Sequence, residues 1–321
     1  MTSLVRVGKS EVMVPAICYG ATALSDMPDT YGYSVSEARG LDTIRAIFSK
    51  EHGFIDTSRN YGLGKSEALI GKIVREMGGW PRGRILSTKI DRDMTSLKLD
   101  GAQARRSVEE SLEALGVDQI DILHLHDPEY ASDLKDVTGK GGSLEVLMRL
   151  KEEGITKAVG LAAGRVDVMM PILKDWDFDA LITHNRFTLL NRNAESMLDL
   201  AQKRGISVFN AAPYASGILA KGSRSGARNA YQEPDAQVLD AIRQVEDICS
   251  RHSVPLGAAA LQFSMRDPRI ASTICGITKP ERIAETEAWA NWEISEEAWQ
   301  ELRGVAFTLD DPEAKREYKP T

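Results

Sequence analysis

Eight short β-rich runs, each separated from the next by segments with helical periodicity, predict an α/β fold closed as a (β/α)8 TIM barrel. The length of 321 residues fits one barrel with additions, and no Pro-, Gly- or Ser-rich linker divides the chain, so residues 1–321 are expected to form a single barrel domain. An open doubly wound sheet is the alternative. It would normally carry a Gly-x-Gly-x-x-Gly turn after its first strand, and none occurs there.

Residues 4–14 (LVRVGKSEVMV) read as a hairpin turning at Gly8-Lys9, suited to plug the bottom of the barrel. The strand runs are AICYG (16–20), GFIDT (53–57), RILST (84–88), QIDILHLH (119–126), ITKAVGLA (155–162), DALIT (179–183), GISVFNA (205–211) and IASTICG (270–276). Between them, residues 36–52, 103–116, 143–154 and 194–205 place apolar side chains at three- and four-residue intervals, the pattern of amphipathic helices. Gly116, Gly154 and Gly205 stand shortly before the next strand, where a left-handed C-cap leads into a short loop. GSRSGARNAYQEPD (222–235) reads as a flexible loop, and the chain from 295 onward as an appended helix and tail.

Hydrophobic residues make up 42% and charged residues 27%, the balance of a soluble globular protein. With 40 Lys and Arg against 47 Asp and Glu, the net charge of −7 and the lack of a long basic run argue against nucleic acid as a partner. Cys18, Cys249 and Cys275 are odd in number and far apart, with no Cys-x-x-Cys and no His cluster, so reduced thiols and no metal site are expected. No signal-like apolar stretch follows Arg6 and Lys9, no window approaches the roughly 18 apolar residues of a membrane span, and no lipidation motif is visible. A cytoplasmic protein without a membrane partner is the expectation; the oligomeric state is not legible.

In a barrel of this kind, residues at the C-terminal ends of strands face the active site. That rule selects Asp56 and Tyr61 after the second strand, Lys89 after the third and His126 at the end of the fourth. Singly, each has an ordinary reading: a turn cap, a half-buried aromatic, a solvated charge, a hydrogen-bonded core imidazole. His124 shares the face of His126 by strand alternation and reads as a core residue one layer deeper.

Together, Asp56-Thr-Ser-Arg-Asn-Tyr61, Ser87-Thr88-Lys89 and His126-Asp127-Pro128 resemble the tetrad of the aldo-keto reductases, and residues 107–128 resemble that family's third helix and fourth strand. The resemblance implies that nicotinamide carries the hydride while Tyr61 exchanges the proton, Lys89 paired with Asp56 tunes Tyr61, and His126 fixes the substrate oxygen. It also implies a dinucleotide held without a Rossmann fingerprint. The matching positions are Gly20, Ala21, Thr22 and Asp56; Ala162, His184 and Asn185; Ala212, Pro213, Gly217 and Leu219; and Gly276, Ile277, Thr278, Lys279, Arg282, Glu285 and Thr286.

The chain departs from the family pattern in several places. Gly276 and Ile277 stand where members committed to the 2′-phosphorylated cofactor often carry Lys-Ser, while Arg282 remains, so NAD is expected to serve at least as well as NADP. Ala162-Ala163 replace Ser-Asn, His184 replaces Gln, and Ala211 replaces a stacking Tyr. HDP at 126–128, THNRFTLLNR at 183–192 and ICGITKPERI at 274–283 resemble the sugar 1-dehydrogenase branch, which includes L-fucose, D-threo-aldose and plant L-galactose dehydrogenases, with pyridoxal 4-dehydrogenase similar. That branch implies oxidation of an aldose at C1 to the lactone, a small-molecule substrate met by Tyr19, Asn60, Tyr61, His126 and Tyr214. An NADPH-dependent aldehyde or ketone reductase, a pyridoxal 4-dehydrogenase and a non-catalytic cofactor-binding subunit stay open as alternatives.

Overall fold

Strands covered on both faces must be apolar or internally satisfied almost throughout. In the computed structural model, which describes residues 4–316, the predicted runs meet that demand and close a barrel. A hairpin of β1 (Val5–Arg6) and β2 (Met13–Val14) precedes β3 (Ile17–Gly20), β4 (Phe54–Asp56), β5 (Ile85–Ile90), β6 (Ile120–His126), β7 (Thr156–Ala162), β8 (Ala180–His184), β9 (Ser207–Ala211) and β10 (Ile270–Gly276). The eight strands from β3 onward pair in parallel in sequence order, and β10 closes on β3 with Cys275 opposite Tyr19. Both the expected barrel and the expected hairpin are present.

The hairpin fills the lower end of the barrel. Val7, Val12 and Val14 are buried in one apolar cluster with Phe54, Ile122, Ala158 and Phe209, side chains that point to the barrel axis. Phe54 and Phe209 meet edge to face at 5.6 Å, so truncating Phe209 to Ala would cost about 3–5 kcal/mol. The turn itself requires glycine: Gly8 has φ +51°, and a Cβ there would lie 2.5 Å from Asp179 Cα.

Helices cover the outside, most with an apolar stripe turned inward, and the N-termini of four of them are capped by side chains. Ser36, Asp100, Asp235 and Ser295 accept hydrogen bonds from the first turns of Glu37–Phe48, Gly101–Leu115, Ala236–Arg251 and Glu296–Arg303. Gly116 and Gly205 end their helices in the left-handed region, as the sequence requires. Two segments bend over the upper mouth. The loop 222–235, expected to be flexible, is tied down: Arg228 Nη1 donates to the carbonyls of Asp29 and Thr30 at 3.0 and 2.7 Å, and Ser223 Oγ donates to Glu246 at 2.7 Å. The tail returns to the segment after β8, where Asn191 Nδ2 donates to Asp310 O at 2.9 Å and Arg186 grips Asp311 and Glu313.

Candidate active site

At the C-terminal ends of the strands lies a cavity of ≈ 580 Å³, and Asp56, Tyr61, Lys89 and His126 all line it. Register explains the convergence. Asp56 is the last residue of β4 and lies opposite Ser87 of β5; Ser87 and Lys89, two apart, share the inward face. Lys89 Nζ donates to Asp56 Oδ2 and Oδ1 at 2.8 and 3.0 Å and to Thr57 O at 2.6 Å, while Ser87 Oγ donates to Asp56 at 2.7 Å. The pair is buried, and the three protons of the ammonium are taken up by the Asp56 carboxylate and the Thr57 carbonyl.

Tyr61 therefore feels Lys89 through space, with Nζ 4.7 Å from its ring centroid, and not through a hydrogen bond from the ammonium. Desolvation by the cavity walls and then the Asp56 carboxylate push the phenol well above its ordinary value, against a hydrogen bond with Thr22 that lowers it. The expected tuning by Lys89 is offset, because Asp56 is the leading charge effect on the phenol and it acts in the opposite direction. His126 meets Tyr61 edge-on at 5.8 Å. Its Nδ1 lies 2.5 Å from Asp91 Oδ1 and its Nε2 3.7 Å from Asp127 Oδ1. His124 is fully buried below, with Phe209 at 6.1 Å, and desolvation holds its pKa well below the usual imidazole range.

Among the positions matched to cofactor binding, Gly20, Thr22, Ala162, His184, Ala212, Gly217, Gly276, Thr278, Lys279 and Arg282 line the same cavity. Others do not. Ala21, Leu219 and Ile277 pack into the apolar core, Pro213 is buried outside the wall, Asn185 Nδ2 donates to Glu313 at 3.2 Å, and Thr286 Oγ1 donates to Arg282 O at 2.7 Å. Glu285 stands behind Arg282 and accepts from its Nη1 at 2.5 Å.

Of the residues assigned to substrate, Tyr61, His126 and Asn60 gather at one end of the cavity, whereas Tyr19 does not reach it. Cys18 packs into the axial core, so alternation turns Tyr19 toward the helix layer, where its hydroxyl donates to Glu287 at 3.2 Å. Tyr214 lines the cavity beside Arg282 and Trp289, with ring contacts of 5.4 and 5.7 Å, at the end toward the helix Glu281–Ala290. Residues that sequence reasoning passed over complete the mouth: Tyr31, Asp127, Tyr231 and Arg316. Strand alternation could have found Asp91, two beyond Lys89. Nothing local in the sequence announces Glu313, whose acid is held far below the usual carboxylate range despite burial, by His184 at 3.1 Å and by Arg186 and Arg316.

The donor set fits a dinucleotide. Lys221, Lys279 and Arg282 supply cationic groups around Gly217 and Gly276, and a Cβ on Gly276 would meet nothing within 4 Å, so its backbone faces open space. Gly20, Ala162, Ala163 and Ala211, with small side chains or none, line the same cavity as Tyr61 and His126. Among the described residues, no group of three or more His, Cys, Asp or Glu side chains could hold a metal ion, and no helix is long and apolar enough to cross a membrane.

Comparison with known proteins agrees with this geometry. Pyridoxal 4-dehydrogenase of Microbacterium luteolum is 27% identical over 92% of this chain and 95% of its own, and D-threo-aldose 1-dehydrogenase of a Pseudomonas species is 29% identical over 90% and 93%. The fold matches that of a Bacillus halodurans aldo-keto reductase in its holo form, with a TM-score of 0.77 at 20% identity over 99% of this chain and all of the other. The model of the Aldo/keto reductase family matches residues 16–306, nearly the whole chain, and the protein therefore belongs to that family of NAD(P)-dependent oxidoreductases.

Proposed function

We propose that the enzyme oxidises an aldose at C1 to the lactone, with Tyr61 taking the hydroxyl proton and NAD serving at least as well as NADP. The observation that carries this reading is the convergence of Tyr61, the Lys89–Asp56 pair and His126 on one end of a cavity whose other end is cationic. Bound nicotinamide supplies the hydride chemistry. The protein's own residues do the rest: Tyr61 and His126 meet the reacting oxygen, and the buried Lys89–Asp56 pair fixes the electrostatics around the phenol. Asn60, Asp127, Tyr31 and Tyr231 offer hydrogen-bonding partners to a polyhydroxylated substrate, in keeping with the relative that acts on D-threo-aldoses.

The cofactor preference rests on Gly276, which contributes no side chain, and on Glu285, which neutralises Arg282 at 2.5 Å. A 2′-phosphate would have to compete with that carboxylate.

One observation favours a second reading, reduction of an aldehyde. The Tyr61 phenol, pushed well above its ordinary value, keeps its proton at neutral pH, and a protonated phenol is the acid that carbonyl reduction needs. Assaying a panel of aldoses and aldehydes with both dinucleotides, by the absorbance of the reduced nicotinamide, separates the two. Aldose-dependent reduction of NAD is the expected result; turnover confined to aldehydes and reduced cofactor would replace the dehydrogenase reading with the reductase one.

A further inference from the structure

A buried carboxylate outside the tetrad, Asp91, is paired with one of its members, His126. Asp91 follows the last residue of β5 and shares the inward face of Lys89, and its side chain is 3% exposed. Its Oδ2 accepts from Ser58 Oγ at 2.6 Å and from the Asn60 backbone N–H at 2.9 Å, while its Oδ1 lies 2.5 Å from His126 Nδ1. Ser58 Oγ is also 3.2 Å from that same nitrogen. Burial alone would raise the Asp91 acid, yet His126 and these donors hold it below the usual carboxylate range. An ionised carboxylate has no proton to offer, so the contact has one polarity: His126 Nδ1–H donates to Asp91.

The other ring nitrogen is then committed as well. With Nδ1 protonated, Nε2 is the atom left for the cavity, an acceptor in the neutral ring and a donor in the charged one. The charged and titratable groups facing the ring are Asp91 from the end of β5, Lys89 within it, Asp127 next in the chain, Tyr61 edge-on and His124 below. Burial pushes the ring toward neutrality, but Asp127 and Asp91 outweigh it and raise the imidazolium above its ordinary value.

We propose that Asp91, seated by Ser58, is a positioning residue for the reaction: it fixes His126 as the Nδ1–H tautomer, aims Nε2 at the reacting oxygen and supports positive charge on the ring while a proton is shared there. The proposal rests on the reading that His126 faces the substrate oxygen. It resembles the way a buried carboxylate orients a catalytic imidazole in hydrolytic triads.

The test joins a spectroscopic readout to a kinetic one. The chain has five histidines, so a protein labelled with ¹⁵N-histidine gives few ring signals, and His126→Gln identifies the one of interest. Wild-type His126 is expected to show a downfield, slowly exchanging Nδ1 proton. In Asp91→Asn, which is isosteric, the amide can donate to Nδ1 and turn the ring to the Nε2–H tautomer, so that signal is lost and the ring titrates at lower pH. Single-turnover hydride transfer should fall about tenfold to a hundredfold, the range for groups that orient a functional imidazole, with cofactor Kd unchanged. Ser58→Ala should move both readouts the same way by less, and covers the case in which Asp91→Asn does not fold. The double variant Asp91→Asn/His126→Gln should be no slower than His126→Gln alone. An unmoved ring signal, a wild-type transfer rate in Asp91→Asn, or a double variant slower than His126→Gln would each overturn the proposal. If His126→Gln itself turned over normally, the assignment of His126 to the substrate oxygen would fail, and the ring signal would still report whether Asp91 sets the tautomer.

Discussion

The two walls of the cavity are built on opposite plans. Along β4 to β6, charges are completed from neighbouring strands: Lys89 by Asp56 on the adjacent strand, His126 by Asp91 just past the end of the preceding one. Along β7 to β9, the wall includes Ala162, Ala163 and Ala211, and the polar run His184-Asn185-Arg186 is paired with Asp311 and Glu313 from the tail. Charges held by strand register are fixed by the sheet itself, which positions side chains more precisely than a loop does. Charges held by the tail depend on a segment outside the strand register, a plan suited to varying what the site accepts.

The largest effect that would sharpen this contrast is at Tyr61. Tyr61→Phe removes one hydroxyl from the first wall and should lower turnover by at least about 10²–10⁴, with cofactor binding nearly intact. Fluorescence titration of the cofactor beside steady-state rates checks both halves. Near-normal turnover would take Tyr61 out of the mechanism.

Lys89→Met breaks the same wall differently, because it leaves Asp56 buried without its partner. A cost of about 3–5 kcal/mol is expected in chemical denaturation. In the oxidation direction activity should rise with pH as the Tyr61 phenol ionises, and loss of a nearby cation disfavours tyrosinate, so the alkaline limb should move to higher pH. A limb unmoved by the substitution would mean that Lys89 acts on Asp56 alone.

The second wall is tested at Glu313. Glu313→Gln leaves Arg186 with Asp311 as its remaining carboxylate and takes the ion-pair partner from His184, so a loss near the lower end of the same range, about 3 kcal/mol, is expected at neutral pH. The sign with pH follows from the depressed acid: its stabilisation is complete above the unfolded carboxylate value of about 4.3 and declines as pH falls below it toward the folded value. Wild type and variant should therefore converge in acid, and hydrogen exchange should locate the loosened amides in residues 307–316. A variant as stable as wild type at pH 7 would show that the tail is held by its backbone contacts instead.

The same contrast explains what could be read from the amino-acid order. Strand alternation and the strand-end rule are enough to place Asp56, Lys89 and His126 on one cavity, since residues two apart on a strand share a face. Tyr19, expected at the substrate, lies between two inward positions, so the same alternation directs it to the helix layer. Loop 222–235 reads as flexible from its Gly, Ser and Arg content, yet Arg228 finds two carbonyls almost 200 residues away, a contact no local pattern encodes. Glu313 is hidden for the same reason: apart from Arg316, its partners Asn185 and Arg186 are more than 120 residues distant.

The smallest effect concerns the cationic end, where neither wall dominates. Arg282 lies between Glu285 at 2.5 Å and the ring of Trp289 at 4.5 Å, so the guanidinium is held by a charge and a π-face before any cofactor arrives. A 2′-phosphate would draw on its charge and an unmodified ribose would not, so Arg282→Ala should lower kcat/KM with NADP more than with NAD. Gly276→Lys adds an ammonium where a Cβ meets open space, and should shift the ratio toward NADP by about tenfold, the yield of one charge-assisted hydrogen bond of about 1.5–3 kcal/mol when partly exposed. Kinetics with the two cofactors at one saturating substrate concentration measure both ratios. Equal losses in Arg282→Ala would assign the arginine to adenine stacking or to the packing of Trp289, and strong native selectivity for NADP would place the phosphate contacts on other cationic side chains of this cavity, Lys279 and Lys221 first among them.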